Sequence, residues 1–174
     1  LTKAFCLNIM YVYYSMPKQN FETGFILNRA SFALGRHLNR SFTRKGLKRF
    51  SSSFLGVMEC LWEKDGQSLT ELGNLIGLEA SSMTGLIDRM EKANLVKRQA
   101  DPRDRRVWRI QLTKKGAAIQ PIVSEVIKES SGTLTRGISD QNLETTKRSL
   151  LKFIENSGYR MKKLNLKKLE ERRS

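Results

Sequence analysis

The sequence predicts a mainly α-helical fold with one small β-hairpin, and three observations carry that expectation. Apolar residues recur at helical spacing over most of the 174 positions. Over roughly residues 95–112 the apolar period shortens to two. That switch directly follows two short helical patterns joined by a glycine-containing turn.

The elements can be justified in order. Residues 18–43 carry Phe21, Phe25 and Phe32, with Leu27, Leu34 and Leu38 on a neighbouring stripe. So broad an apolar surface implies a helix gripped on two sides, stopped at Gly46 of "TRKG". In "SSSFLGVMECLWEKDG", Phe54, Met58, Leu61 and Trp62 fall at helical spacing and Asp65-Gly66 closes the run. "SLTELGNLIG" opens with Ser68 and Glu71, spaced so that each side chain satisfies the other's free amide. Leu69, Leu72, Leu75 and Ile76 form its inner face and Gly77 its stop. In "EASSMTGLIDRMEKANL", Met83, Leu86, Ile87 and Met90 face inward, leaving Ser81, Ser82, Thr84, Gly85, Asp88 and Arg89 outside. The pair reads as a helix-turn-helix.

"LVKRQ" is then a short strand. After a turn at 101–105, Arg106, Trp108, Ile110 and Leu112 alternate with Arg105, Val107, Arg109 and Gln111. A charged hairpin on this helix pair makes a winged helix-turn-helix. From Thr113 the pattern is helical again through Ile119, Ile122, Val123, Val126 and Ile127, with Pro121 expected to bend the axis. A further helix starts after Ser139, carrying Leu143, Leu150, Leu151 and Ile154, and a basic tail with Met161, Leu164 and Leu169 continues it after Gly158. The expected segments are an arm at 1–17, an N-terminal helix at 18–50, the winged lobe at 51–112 and C-terminal helices with the tail at 113–174. The arm is apolar, lacks a signal-peptide cleavage site, and reads either as an extension upstream of Met16 or as an ordered arm buried against a partner.

Charge sets the partner. Lys plus Arg number 32 against 17 Asp plus Glu, a net +15 that points to an anionic surface, either nucleic acid or membrane. No apolar stretch reaches the roughly 18 residues of a membrane span. Cys6 and Cys60 build no disulfide framework, and His37 alone builds no metal site. A reducing cytoplasm is the expected setting. No nucleophile–base pair, phosphate-cradling loop or paired carboxylates stand out, so neither enzyme activity nor a cofactor is expected.

The stretch "LTELGNLIGLEASSMTGLIDRMEKANLVKRQADPRDRRVWRIQLTKKG" resembles the helix–helix–wing block of the MarR family of transcriptional regulators. Asp101, Arg103 and Arg106 match that family's D-x-R-x-x-R wing pattern, and the likeness spans about residues 20–157. It implies a two-fold homodimer, with the N-terminal helix and two C-terminal helices interlocked as dimerisation helices, on palindromic double-stranded DNA. It also implies release by a small aromatic or phenolic ligand, as in many relatives. Relatives that sense oxidants use a cysteine near the start of the first long helix, and none occupies 16–45 here. Pro121 and the basic tail depart from the common pattern.

Roles follow on that reading. Arg103 at the hairpin tip suits a narrow minor groove. Asp101 and Asp104 would repel phosphate, so they are expected to brace neighbouring arginines, and Asp101-Pro102 suits a turn start. Ser81, Ser82 and Thr84 offer hydroxyls to base edges and Gly85 allows close approach, although Ser81 alternatively caps its helix. Arg89, Arg98, Arg105 and Arg106 are expected on phosphates. Arg44, Lys45, Lys48 and Arg49 form either another phosphate cluster or a solvated loop. Trp62, Trp108 and Cys60 are expected in the core. The leading function is a sequence-specific repressor. An architectural nucleic-acid binder and a protein-interaction module are the competing readings.

Overall fold

A computed structural model describes residues 18–104 and 106–158. The N-terminal arm with Cys6, the side chain of Phe21, Arg105 and the basic tail lie outside the described residues. The elements are α1 (Lys18–Arg44), a 3-10 turn (Ser52–Phe54), α2 (Leu55–Glu63), β1 (Gln67–Ser68), α3 (Leu69–Ile76), α4 (Ala80–Lys92), β2 (Val96–Ala100), β3 (Trp108–Leu112), α5 (Lys114–Ala118), α6 (Gln120–Leu134) and α7 (Asp140–Asn156).

Two compact units divide the chain after His37. In the first, α1 exposes Phe25, Ile26, Phe32 and Leu34, and the Arg29 guanidinium lies 5.3 Å from the Phe25 ring centre. The second holds the buried core. Phe42, Phe50 and Phe54 meet edge to face, with centroids 4.7 and 6.0 Å apart. Val57, Met58, Leu61, Leu72 and Ile110 join them, together with the whole predicted inner face of α4: Met83, Leu86, Ile87 and Met90.

Local signals explain the helix-turn-helix. The Ser68 hydroxyl accepts from the Glu71 amide (3.2 Å), and Glu71 Oε2 accepts from the Ser68 amide (2.7 Å), so the predicted capping box starts α3. Gly77 ends it in the left-handed region (φ 72°), where a Cβ is costly. A Cβ on Gly73 would stand 2.8 Å from the Leu78 carbonyl, so the turn closes only over glycine there.

The sheet has three antiparallel strands in the order β1-β3-β2, one more than the expected hairpin. β1 is two residues long, too short to show a period. Directly opposed residues share a face, so Val96 and Leu112, Arg98 and Ile110, and Ala100 and Trp108 all lie on one side. Only the inner part of this face meets the core. Ile110 is fully buried, but Trp108, expected in the core, is 46% exposed because the hairpin has run past the core's edge by that point. Trp62 does pack against the core, and its indole N–H donates to the Gly116 carbonyl at 3.0 Å.

Pro121 does not bend a continuous helix. The chain turns at Ile119, and Pro121 stands in the first turn of α6, where a missing N–H loses no intrahelical bond. Val123 and Val126 bury against the core, whereas α7, capped by Ser139, buries none of its residues. Ile122, Leu134, Ile138, Leu150 and Phe153 are exposed. Among the described residues no helix is long and apolar enough to cross a membrane, and no cluster of metal-binding side chains occurs.

Candidate nucleic-acid interface

The first turn of α4 faces outward. Glu79 precedes it without a side-chain cap, so Ser81 does not serve that role. Ser81 and Ser82 are exposed. Thr84 donates its hydroxyl to the Ala80 carbonyl (3.0 Å), which leaves its oxygen able to accept from outside. At Gly85 an added Cβ would meet nothing but Arg89 Nη1, at an ordinary 3.7 Å. Glycine inside a helix costs roughly 0.5–1 kcal/mol relative to alanine, and the fold does not require it here. An external surface that must come close would. Gly85→Ala is therefore expected to raise stability by roughly that amount in chemical denaturation while weakening binding to a selected duplex.

Two aspartates shape the wing by holding backbone. Asp101 is buried, and its Oδ1 accepts from the Arg103 amide at 2.8 Å. Its Oδ2 accepts from Arg109 Nε at 2.6 Å. Asp104 accepts from the Arg106 amide at 3.0 Å. The expected bracing thus falls on the main chain at Arg103 and Arg106 and on the side chain of Arg109. Arg103 and Arg106 are exposed, as is Arg89 on α4. The Arg103 amide, and after it the Arg109 side chain, hold the Asp101 carboxyl below the usual aspartate range. A depressed folded pKa contributes stability above the unfolded pKa and loses it as pH falls through the folded value. Asp101→Asn should therefore melt at a lower temperature than the parent at neutral pH. The gap should close as the solution is acidified below the ordinary aspartate range.

Arg109, one of four arginines clustered at positions 103–109, is assigned no role of its own by the sequence. Its Nη1 also reaches Glu71 Oε2 (3.1 Å) and the Gly66 carbonyl (3.4 Å), tying the wing's base to the start of α3. The oxygen that closes the capping box also accepts from this arginine. Nearby, the buried Gln67 donates to the Cys60 and Lys64 carbonyls, each at 2.8 Å, and Asp65 accepts from the Leu112 amide at 2.9 Å.

Arg98 is turned inward, unlike the phosphate contact expected of it. Its register opposite Ile110 aims it at α4, where it pairs with Asp88 (2.8 Å) and Glu91 and reaches the Thr84 carbonyl (3.4 Å). The guanidinium clamps α4 to the wing. Lys45, expected in either a phosphate cluster or a solvated loop, is instead paired: its ammonium sits 2.9 Å from both Glu125 and Glu129 on α6. Lys48 and Arg49 are exposed. Burial pushes the Cys60 thiol up, away from the reactive thiolate, in keeping with a packing role.

A paired-helix lobe with an exposed second-helix start and a cation-tipped hairpin defines the winged helix-turn-helix class. Comparison with known proteins narrows it. The MarR family model matches residues 51–108. The chain is 33% identical over 127 residues to the uncharacterized HTH-type transcriptional regulator YsmB of Bacillus subtilis (strain 168), covering 68% of this chain and 84% of that protein. It is 32% identical over 104 residues to the HTH-type transcriptional regulator MhqR of the same organism, covering 60% and 70%. Among solved structures, a cysteine-to-serine MarR mutant from E. coli complexed with operator DNA matches with TM-score 0.68 and 20% identity over 75% of this chain and 92% of that one. Reduced AbfR bound to DNA matches with TM-score 0.62 and 21% identity over 78% and 90%. At such identities these structures establish the fold. The chain belongs to the MarR family. It is accordingly a transcriptional regulator and not an enzyme.

Proposed function

We propose that the protein is a homodimeric repressor that binds a palindromic operator. The observation that carries this reading is the joint presentation, on one clamped lobe, of the hydroxyl and glycine face of α4 and the exposed Arg103 and Arg106 of the wing. The helix start would meet base edges in the major groove through Ser81, Ser82, Thr84 and Gly85. Arg103 would enter the adjacent minor groove, and Arg89 and Arg106, with Arg105, would hold phosphates. Arg98 acts through the clamp, as a positioning residue. Two similar solved proteins are bound to DNA, which supports the same partner here. The uncovered apolar side chains on α6 and α7, such as Leu134, Leu150 and Phe153, support a second copy as their cover.

Release is proposed to follow population shift: a small aromatic or phenolic ligand that prefers a DNA-incompetent dimer conformation weakens operator binding. The net charge of +15 favours one other reading, nonspecific architectural binding. Selection from random duplexes at fixed salt, with light scattering for mass, separates the two. A dimer that enriches an inverted repeat supports the regulator. A monomer, or a pool without an enriched motif, overturns it.

A further inference from the structure

We propose that Trp108 is a DNA-backbone contact, packing its indole on the sugar–phosphate strand that runs between the groove read by α4 and the groove entered by the wing. This rests on the repressor reading above. The register places it: Arg98 and Ile110 are directly opposed, and so are Ala100 and Trp108 one step nearer the tip, all on one face of the hairpin. Arg98 on that face touches Asp88, Glu91 and the Thr84 carbonyl. The face therefore looks towards α4, and Trp108 stands about 7 Å further out along it, two strand residues on.

Beyond the clamp, the ring is left only about half covered. Ala100 opposite is too small to cover it further, and the indole is 46% exposed, unusual for a tryptophan. On the tip side, Arg103 and Arg106 are exposed cations, and Arg89 is exposed on α4. An exposed apolar ring on a lobe that also exposes these cations suits a polyanion with apolar sugars better than an uncharged protein surface. Adjacent major and minor grooves share one backbone strand as their common wall. A duplex that seats α4 in one and Arg103 in the other brings that strand across this face. The ring would pack on deoxyribose and the indole N–H, a donor only, would meet a phosphate oxygen. Such a contact adds affinity without reading sequence.

The test uses the full chain and a duplex enriched by random selection, or a random-sequence duplex at low salt if no motif is enriched. Trp108→Ala should weaken binding about tenfold by a similar factor on all duplexes. The slope of log affinity against log salt should stay unchanged, because no charge is lost. Trp108→Phe should recover part of the loss. In the parent, acrylamide quenching of the exposed tryptophan should fall when duplex is added. Thermal melting of each variant controls for folding, and in a variant that melts early the parent's quenching decides alone. A duplex that binds Trp108→Ala as tightly as the parent, or leaves quenching unchanged, overturns the inference and spares the regulator. Failure of the parent to bind any duplex removes both.

Discussion

Replacing Arg103 with alanine is expected to weaken binding to the selected duplex by about 1–3 kcal/mol and to lower the salt slope by about one. Both aspartates of the wing are occupied with amides and with Arg109, so the Arg103 side chain projects with the tip already shaped beneath it. Its loss removes a cation without unfolding the turn, because Asp101 accepts from the Arg103 amide, which alanine retains. Titration by fluorescence anisotropy across a salt series measures both quantities. Arg103→Lys should restore the slope but not all the affinity, since an ammonium lacks the planar fork. An unchanged affinity for Arg103→Ala would remove the wing from the interface.

The second large effect concerns the fold. Gly116→Ala would set a methyl 2.0 Å from the Leu95 carbonyl oxygen and 3.4 Å from Leu112 Cδ2. That carbonyl is held by the Thr113 amide at 3.0 Å, and the Thr113 hydroxyl in turn accepts from the Gly116 amide at 2.9 Å. Backbone must therefore move, breaking the cap of α5, and a loss of at least about 3 kcal/mol is expected. Against the 5–15 kcal/mol typical of a domain, that is a heavy loss. Urea unfolding followed by Trp62 fluorescence reads it at the site, because the Trp62 indole donates to the Gly116 carbonyl. Gly132→Ala, with nothing within 4 Å of the added carbon, should not destabilise.

The sequence made legible what depends on neighbours in the chain. Ser68 and Glu71, Gly77, Ser139 and the inner face of α4 act over one to two helical turns, and each appears where its spacing indicates. What depends on long-range register was hidden. The alternation assigned Trp108 to an inward face, but how far the core extends beneath a strand is set by helices distant in sequence. Arg98 and Lys45 read as free cations because their carboxylate partners, Asp88 and Glu91 for one and Glu125 and Glu129 for the other, come within reach only in the folded lobe. Pro121 reads in the sequence as a bend inside one helix, but the turn at Ile119 makes it part of a helix start, which the apolar period alone does not mark.

The placement of the Arg98 clamp bears on reprogramming. Its side-chain partners, Asp88 and Glu91, occupy the later part of α4, and its contact at Thr84 is a main-chain carbonyl that any replacement keeps. Positions 81, 82 and 84 can therefore be exchanged as a cassette without loosening the hairpin from the helix. A library randomised there should yield proteins of parental melting temperature and altered target preference, which makes the lobe a chassis for designed promoters.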